Sequence, residues 1–287
     1  MPHGFGHVNY NLPRGCVVRI AGVLDRQPAV TGYFELVQLI MSHDVAHTAS
    51  PPRPFLTAKW RVVLMLNYEV DPALLSGLVP SGTELDLWQG RSFISLVGFR
   101  FLDMKVLGVP VLFHRDFDEI NLRLYVRRHE GNEVKRGVAF IREIVPRRAV
   151  ATIARVLYRE RCVTRPTSHR LDFNKCSREA HYSWAGRHDR GQLTITVGGD
   201  PEFPAEGSLE QFIVEHYWGY SAQRDGGCLE YRVQHPPWRV WRAHEARFEG
   251  EVVELYGPEL AAVLRQEPAS ALLGEGSAIA VSRGKRL

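Results

Sequence analysis

Residues 117–128 read FDEINLRLYVRR and alternate between two kinds of side chain. Apolar side chains take every second position, at Ile120, Leu122, Leu124 and Val126. Between them stand an acid, an amide, a guanidinium and a phenol, at Glu119, Asn121, Arg123 and Tyr125. Because successive side chains of a β-strand point to opposite faces, the pattern predicts a strand with one apolar and one polar face. The polar row either faces water, as is common in antiparallel sheets, or lines a cavity that holds a ligand.

The segments around this strand predict many more strands and a few helices. Residues 129–133, HEGNE, form a tight turn into a strand at 135–145, so the two strands make a hairpin. Further strands are expected at 60–70 and 91–102, near 161–165, 169–175, 180–186 and 192–197, at 228–235 and 238–248 as a pair broken by Pro236-Pro237, and at 277–287. Helices are expected at 71–80, 147–158, 208–220 and 257–266. This order indicates an α+β protein, mostly antiparallel, with a curved or closed sheet.

Composition indicates an ordinary globular protein with a sizeable core. Its 287 residues are 45% hydrophobic and 24% charged, and the net charge is +4. Basic residues are scattered rather than gathered into a stripe with aromatics, so a nucleic-acid partner is not expected. No apolar run is long enough for a membrane span, and there is no signal-peptide pattern. The four widely spaced cysteines indicate reduced thiols, and we expect a cytoplasmic protein.

The first 50 residues differ from the remainder of the chain. They are polar, rich in glycine and aperiodic, and a Pro-rich linker follows them at 51–54. We expect residues 1–50 to be a poorly ordered extension, with Met41 as an alternative true start. The alternative is that 15–24, GCVVRIAGVL, adds a short strand. Residues 53–287 are then a single domain.

Standard catalytic and metal-binding motifs give no match. There is no HExxH, HxH, EF-hand loop, GxSxG elbow, Walker loop or GxGxxG after a strand. No metal or cofactor is therefore expected. Three clusters of chemistry-bearing residues remain: the polar row at 119–125, VEHYWGY at 214–220 and HPPWRVW at 235–241. The last two are also explained by aromatic packing at a helix end and by a rigid turn over the core.

Several separated motifs resemble the YqjF-like bacterial family of unknown function, the domain of unknown function 2071. They are the run at 55–103, FHRDFDEINLRLYVRR at 113–128, EHYWGY at 215–220 and HPPWRVW at 235–241, all in the family's order. The resemblance covers about residues 53–287. That family in turn is similar to acetoacetate decarboxylase, through LNYEVDPALLSGLVPSGTEL at 66–85, FDEINLRLYV, the turn at Gly131, RGVAFIREIV and a helix carrying Arg155.

The similarity to acetoacetate decarboxylase implies a fold. The expected structure is a strongly bent antiparallel sheet closed into a cone-shaped β-barrel, with a few helices outside. Glu119 matches a strand glutamate of the decarboxylase that points into the cone, so the polar row is expected to face a cavity. The apolar face of the same strand should then pack against helices, at 147–158 or 208–218.

One departure from acetoacetate decarboxylase bears on the chemistry. The decarboxylase has adjacent lysines after its helix, and one of them forms a Schiff base with the substrate. Here the corresponding segment, ARVLYRERCVTRP at 154–166, contains no lysine. Arginine stays protonated and cannot form that imine. Decarboxylation through a lysine Schiff base is therefore not expected.

Two functional hypotheses follow from these observations, and the sequence leaves open whether the protein is an enzyme. In the first, the barrel binds or transforms a small carboxylate or carbonyl compound, with Glu119 as general base. The ligand-binding residues would be Asn121, Arg123, Tyr125, Arg161, His114, Tyr217 and His235. In the second, the fold is a non-catalytic ligand-sensing or protein-interaction module with aromatic surface anchors. The partner is a small molecule in the first hypothesis, and the sequence is compatible with a homo-oligomer.

Overall fold

The computed structural model describes residues 53–111, 115–146, 162–174 and 177–287. The predicted extension at 1–50, the helix expected at 147–158 and the site candidates His114 and Arg161 lie outside these ranges. The domain boundary near residue 50 therefore stays a prediction.

The described residues form sixteen strands and three helices. The strands are β1 Leu56–Val70, β2 Glu84–Leu85, β3 Ser92–Val106, β4 Val109–Pro110, β5 Phe117–Glu130, β6 Glu133–Val145, β7 Cys162–Thr164, β8 Thr167–Phe173, β9 Arg178–Ala185, β10 Arg190–Val197, β11 Trp218–Ala222, β12 Cys228–Gln234, β13 Val240–Glu251, β14 Ser270–Gly274, β15 Ala278–Val281 and β16 Lys285–Arg286. The helices are α1 Pro72–Leu75, continued by a 3₁₀ turn at Ser76–Leu78, α2 Leu209–Val214 and α3 Val253–Leu264.

Seven strands form a closed circuit of hydrogen-bonded pairs. β1 pairs with β3, and the pairings continue through β5, β6, β11, β12 and β15 back to β1. The contact between β6 and β11 is parallel and the others are antiparallel. A sheet whose pairings return to the first strand must curve strongly, and its inner face can enclose a cavity.

The β5–β6 hairpin carries the predicted polar row, and its register is set by a tight turn. Glu130 pairs with Glu133, and Gly131 between them has φ of 59°, a conformation that glycine adopts at little cost. A bulge follows between Leu122 and Arg123. Both faces of β5 are buried, so the polar row is not a solvent-exposed strand face.

The apolar face of β5 packs against a second layer of the molecule. Strands β8, β9, β10 and β13 form an antiparallel sheet, and β13 also pairs with β14. The apolar side chains of β5 at positions 120, 122, 124 and 126 share one core cluster with side chains of β9, β10 and α3, among them Tyr182, Ile195 and Leu260.

The expectation that helix 208–218 covers this apolar face was wrong. Phe212 in α2 contacts the ring of Tyr125, at 5.2 Å between ring centroids, on the polar side of β5. The apolar face needs a broad cover, and the second sheet with α3 supplies it. The helix expected at 147–158 lies outside the described residues.

Three other differences from the predicted elements have local causes. Helix α2 ends at Val214, because Glu215 leaves the helical region and Trp218, Gly219 and Tyr220 pair as a strand instead. Strands β12 and β13 form on either side of Pro236-Pro237 but pair with other strands, not with each other. Helix α3 starts at Val253 and is kinked at Gly257, where the backbone is not helical.

Within the described residues, no helix is both long and apolar enough to cross a membrane.

Candidate functional site

The closed circuit of strands encloses a cavity of about 140 Å³. All seven strands of the circuit contribute lining residues, and α2 with the segment that follows it closes one side. Aromatic and aliphatic side chains make up most of the wall, and the aromatic ones include Trp60, Phe101, Phe117, Phe140, Trp218 and Trp238. The ionisable side chains in the lining are Glu119, Arg123, Glu143, His216 and His235. A mostly apolar cavity with a few convergent polar groups is typical of a small-molecule site.

Glu119 stands in the cavity wall on β5 and is buried. Its Oε1 accepts a hydrogen bond from Nδ2 of Asn121, the next residue of the same row, at 3.0 Å. Burial raises the pKa of Glu119 to about 7, although the Asn121 hydrogen bond and the Arg123 charge both oppose the shift. A carboxyl group with such a pKa can both accept and donate a proton near neutral pH.

Arg123 lies in the same wall, four residues along β5. Its Nη2 donates to the carbonyl oxygen of Ile213 at 3.4 Å and to Sδ of Met65 at 3.6 Å. Its Nε is buried and has no hydrogen-bond partner among the described residues. Arg123 forms no salt bridge with Glu119 or with any other carboxylate of the described residues. The guanidinium thus retains donors for an anionic group.

Glu143 is a second buried carboxyl group in the lining, and it was not predicted from the sequence. It lies on β6 directly opposite Asn121. The extra residue of the bulge, Ile141, lies in β6 between Phe140 and Arg142, so the alternation of residues 135–145 alone did not show that Glu143 faces inward.

His216 enters the cavity wall just after α2 and is buried. Its Nε2 lies 3.1 Å from Oδ2 of Asp86, and the same Asp86 oxygen accepts from Nε of Arg136 at 2.6 Å. Burial lowers the pKa of His216 to about 4, although the Asp86 hydrogen bond opposes this shift. Burial alone would raise the pKa of Asp86, but hydrogen bonds from His216 and Arg136 bring it below its usual value. At neutral pH the pair is therefore a neutral imidazole beside a carboxylate.

His235 lines the cavity from the start of the Pro236-Pro237 segment. Its ring stacks on Trp238 at 4.6 Å between centroids and contacts Tyr217 at 4.8 Å. Its Nδ1 lies 2.9 Å from the carbonyl oxygen of Pro236. Burial lowers the pKa of His235, and the charge of Arg123 acts in the same direction. His235 is thus also neutral at physiological pH.

Comparison with known proteins identifies the family. The family model for DUF2071, described as an uncharacterized conserved protein, matches residues 57–277. The chain belongs to the DUF2071 family. The uncharacterized protein YqjF of Bacillus subtilis (strain 168) is 26% identical over 207 residues, which are 69% of this chain and 80% of that protein.

Solved structures show the fold that this DUF2071 protein shares. Acetoacetate decarboxylase from Legionella pneumophila matches with a TM-score of 0.59 and 13% identity, over 88% of this chain and 95% of the decarboxylase. The enduracididine biosynthesis enzyme MppR, solved with pyruvate, matches with a TM-score of 0.57 and 13% identity, over 84% of this chain and 92% of MppR. The predicted acetoacetate-decarboxylase-like, mostly antiparallel α+β fold is confirmed.

Three residues of the DUF2071 protein that were predicted to bind the ligand lie beside the cavity rather than in its lining. Asn121 supports Glu119 through the hydrogen bond described above. The hydroxyl group of Tyr125 bonds to Ser95, which itself donates to Asn67. Tyr217 packs its ring on His235. These residues position or support the lining, whereas Glu119, Arg123 and His235 are in it.

Lysine chemistry has no support in the described part of this DUF2071 protein. Lys135 is buried but pairs with Glu130 and Glu230, and these carboxylates raise its pKa although burial by itself would lower it. Lys59 is exposed and pairs with Asp103 at 2.8 Å. No lysine of residues 53–111, 115–146, 162–174 and 177–287 lines the cavity. A Schiff-base lysine needs the opposite environment, with a lowered pKa.

No group of three or more His, Cys, Asp or Glu residues that could hold a metal ion occurs in the described segments.

Proposed function

We propose that the cavity binds a small carboxylate or carbonyl compound and that Glu119 acts on it as a general base, without Schiff-base chemistry. The observation that carries the proposal is the presence of two unlike ionisable groups, Glu119 and Arg123, in the wall of one mostly apolar cavity. Arg123 presents a guanidinium that makes no salt bridge with a carboxylate of the described residues, and burial raises the pKa of Glu119 in the same cavity wall to about 7. The guanidinium is suited to binding the carboxylate of a ligand, and the carboxyl group is suited to proton transfer.

The arrangement of the aromatic residues favours this proposal over surface anchoring. Trp218, His235 and Trp238 line the same cavity as Glu119 and Arg123. A protein-interaction module would instead present such aromatics on an exposed face. The structural neighbour MppR was solved with pyruvate, a small keto acid, and this agrees with the proposed ligand class.

Binding is tested with acetoacetate, pyruvate and butanoate by isothermal titration calorimetry. We expect saturable binding of at least one of these acids, weakened at least about tenfold in Arg123→Gln because a charge-assisted pair is lost. Arg127→Gln is the matched control, since Arg127 lies on the same strand but is exposed and pairs with Glu84. Absence of binding, or equal weakening in both variants, would contradict the proposal.

Catalysis is tested separately from binding. A general base next to a bound keto acid should remove a proton from the carbon adjacent to the carbonyl group. In deuterated water the wild type should therefore speed deuterium incorporation into the acid, as followed by proton NMR, and Glu119→Gln should not. Binding without exchange would favour the alternative, a ligand-sensing module on the same fold.

A further inference from the structure

His216 and Asp86 form a buried pair whose role the proposed function does not use. Asp86 follows β2 and His216 follows α2, and both side chains are almost fully buried. The carboxylate also accepts from Arg136, so it is held from two sides. Such a carboxylate–imidazole pair fixes the orientation of the ring and decides which nitrogen carries the proton.

The hydrogen bond to Asp86 determines the tautomer of His216. An ionised carboxylate can only accept hydrogen bonds, so Nε2 of the neutral imidazole must carry the hydrogen. Nδ1 is then left with a lone pair and no hydrogen. This atom is buried, and it has no hydrogen-bond partner among the residues that the structure describes. A buried acceptor in a cavity wall is costly to leave unsatisfied, so a ligand that donates to it gains affinity.

His235 repeats the arrangement with the opposite tautomer. Its Nδ1 lies against the carbonyl oxygen of Pro236, which can only accept, so Nδ1 carries the hydrogen and Nε2 has the lone pair. The cavity wall thus contains two neutral imidazoles, each with one nitrogen engaged by the protein and the other an acceptor.

We propose that the ligand is a hydroxy carboxylic acid, whose hydroxyl group donates a hydrogen bond to Nδ1 of His216 while its carboxylate binds Arg123. The inference rests on the proposed function, which supplies the carboxylate site. Both groups adjoin one aromatic ring: the Tyr125 centroid lies 5.6 Å from Cζ of Arg123 and 4.8 Å from the His216 centroid. Arg123 and His216 therefore lie near each other in the cavity wall, which is the arrangement that an acid with a second polar group requires.

The donor on the ligand is assigned as a hydroxyl group rather than an amine. An aliphatic amine would be a cation at neutral pH, and the Arg123 charge opposes a second cation here. The same charge contributes to the lowered pKa of His216 and of His235, after the larger effect of burial. Amino acids with the same carbon skeleton should therefore bind more weakly than the hydroxy acids.

The experiment compares acids that differ by a single hydroxyl group. The pairs are 2-hydroxybutanoate with butanoate, 3-hydroxybutanoate with butanoate, and 3-phenyllactate with 3-phenylpropanoate, with phenylalanine as the amine probe. Affinities are measured by isothermal titration calorimetry for the wild type and for His216→Phe. Phenylalanine keeps an aromatic ring in the wall but has no acceptor, and Arg136 still donates to Asp86.

We expect the wild type to bind at least one hydroxy acid about tenfold more tightly than its partner, the scale of one added hydrogen bond in a buried site. His216→Phe should abolish that ratio, which does not depend on any change in the affinity for the plain acid. Equal affinities in the wild type, or a ratio unchanged in the variant, would overturn the inference while leaving the carboxylate proposal intact. Failure of every acid to bind would overturn both. If the variant does not fold, as judged by circular dichroism, the wild-type ratio still decides.

Discussion

Asn121 donates its side-chain amide to Glu119 at 3.0 Å, from one repeat further along the same strand. This bond favours the charged carboxylate, as does the positive charge of Arg123. Burial has the larger effect, and the pKa of Glu119 rises to about 7. The three groups together keep the carboxyl group close to half ionised at neutral pH, which is the condition for efficient proton transfer.

The raised pKa of Glu119 should make the stability of the fold depend on pH. Between about pH 4.5 and 7 the native state retains a proton that the unfolded state has released, so the free energy of unfolding should fall as pH rises. The full loss is about 3 kcal/mol. Glu119→Gln lacks this titration. Its free energy of unfolding, measured with denaturant, should therefore rise relative to that of the wild type across that pH interval.

A matched control for this titration lies on the same hairpin. Glu133 is exposed at the start of β6, and Glu133→Gln should follow the wild-type pH dependence of unfolding. If the free energies of unfolding of Glu119→Gln and of the wild type change in parallel from pH 4.5 to 8, Glu119 is not a buried group with a raised pKa.

A second prediction concerns covalent trapping. Incubation with acetoacetate or pyruvate and borohydride should add no mass to the protein, because buried Lys135 is paired with two carboxylates and its pKa is raised. Intact-mass spectrometry and peptide mapping provide the measurement. A stable adduct on Lys59, Lys105, Lys135 or Lys175 would show that imine chemistry occurs after all.

A third prediction concerns the contact between the two layers. A Cβ atom at Gly98 in β3 would lie 2.8 Å from Cβ and Cγ of Tyr182, which is fully buried and donates its hydroxyl to the carbonyl oxygen of Val62. Tyr182 cannot easily move aside, so Gly98→Ala should lower the free energy of unfolding by about 1–3 kcal/mol.

Gly77→Ala is the comparison for Gly98→Ala, since no atom lies within 4 Å of a Cβ at that position. It should leave the stability unchanged or raise it by up to about 1 kcal/mol, through the unfolded state. Chemical denaturation measures both variants, and similar values for the two would argue against a tight contact at Gly98.

A fourth prediction concerns the N-terminal extension. A shortened chain that begins at Met41 should keep the melting temperature of the full chain, because the family match begins at residue 57 and the first strand of the described residues at Leu56. Differential scanning calorimetry of the two proteins tests this. A drop of several degrees would mean that residues 1–40 contribute to the folded domain, as the alternative strand at 15–24 would.

Local patterns predicted the strands of this fold better than their partners. The period-two alternation at 119–126 and the Gly131 turn identified the hairpin, because both are properties of neighbouring residues. Helix α2 was predicted too long, since pairing of Trp218–Ala222 with β12 outweighed the helical spacing. Strands β12 and β13 were expected to pair, but β12 pairs with β11 and β15 and β13 pairs with β10 and β14. Local spacing carries no information about the partners that are distant in sequence.

Only part of the candidate site was predicted, because local sequence patterns do not show which distant residues meet. Glu119 and Arg123 share one strand, so alternation alone placed them on one face. Asp86 and His216 are 130 residues apart, and only the folded chain brings them together. Glu143 was not predicted, because a bulge at Ile141 in β6 interrupts the alternation that would have shown its inward direction.

Burial of β5 on both faces has a consequence for how the chain finds its fold. A slip of one residue in the β5–β6 pairing would turn every side chain to the opposite side of the strand. Arg123 and Glu119 would enter the core between the two layers, where each unpaired charge costs several kcal/mol, and Leu122 would take their place in the cavity. The residues proposed to bind the ligand therefore also penalise the wrong register, so selection for the chemistry and selection for a unique topology act on the same side chains.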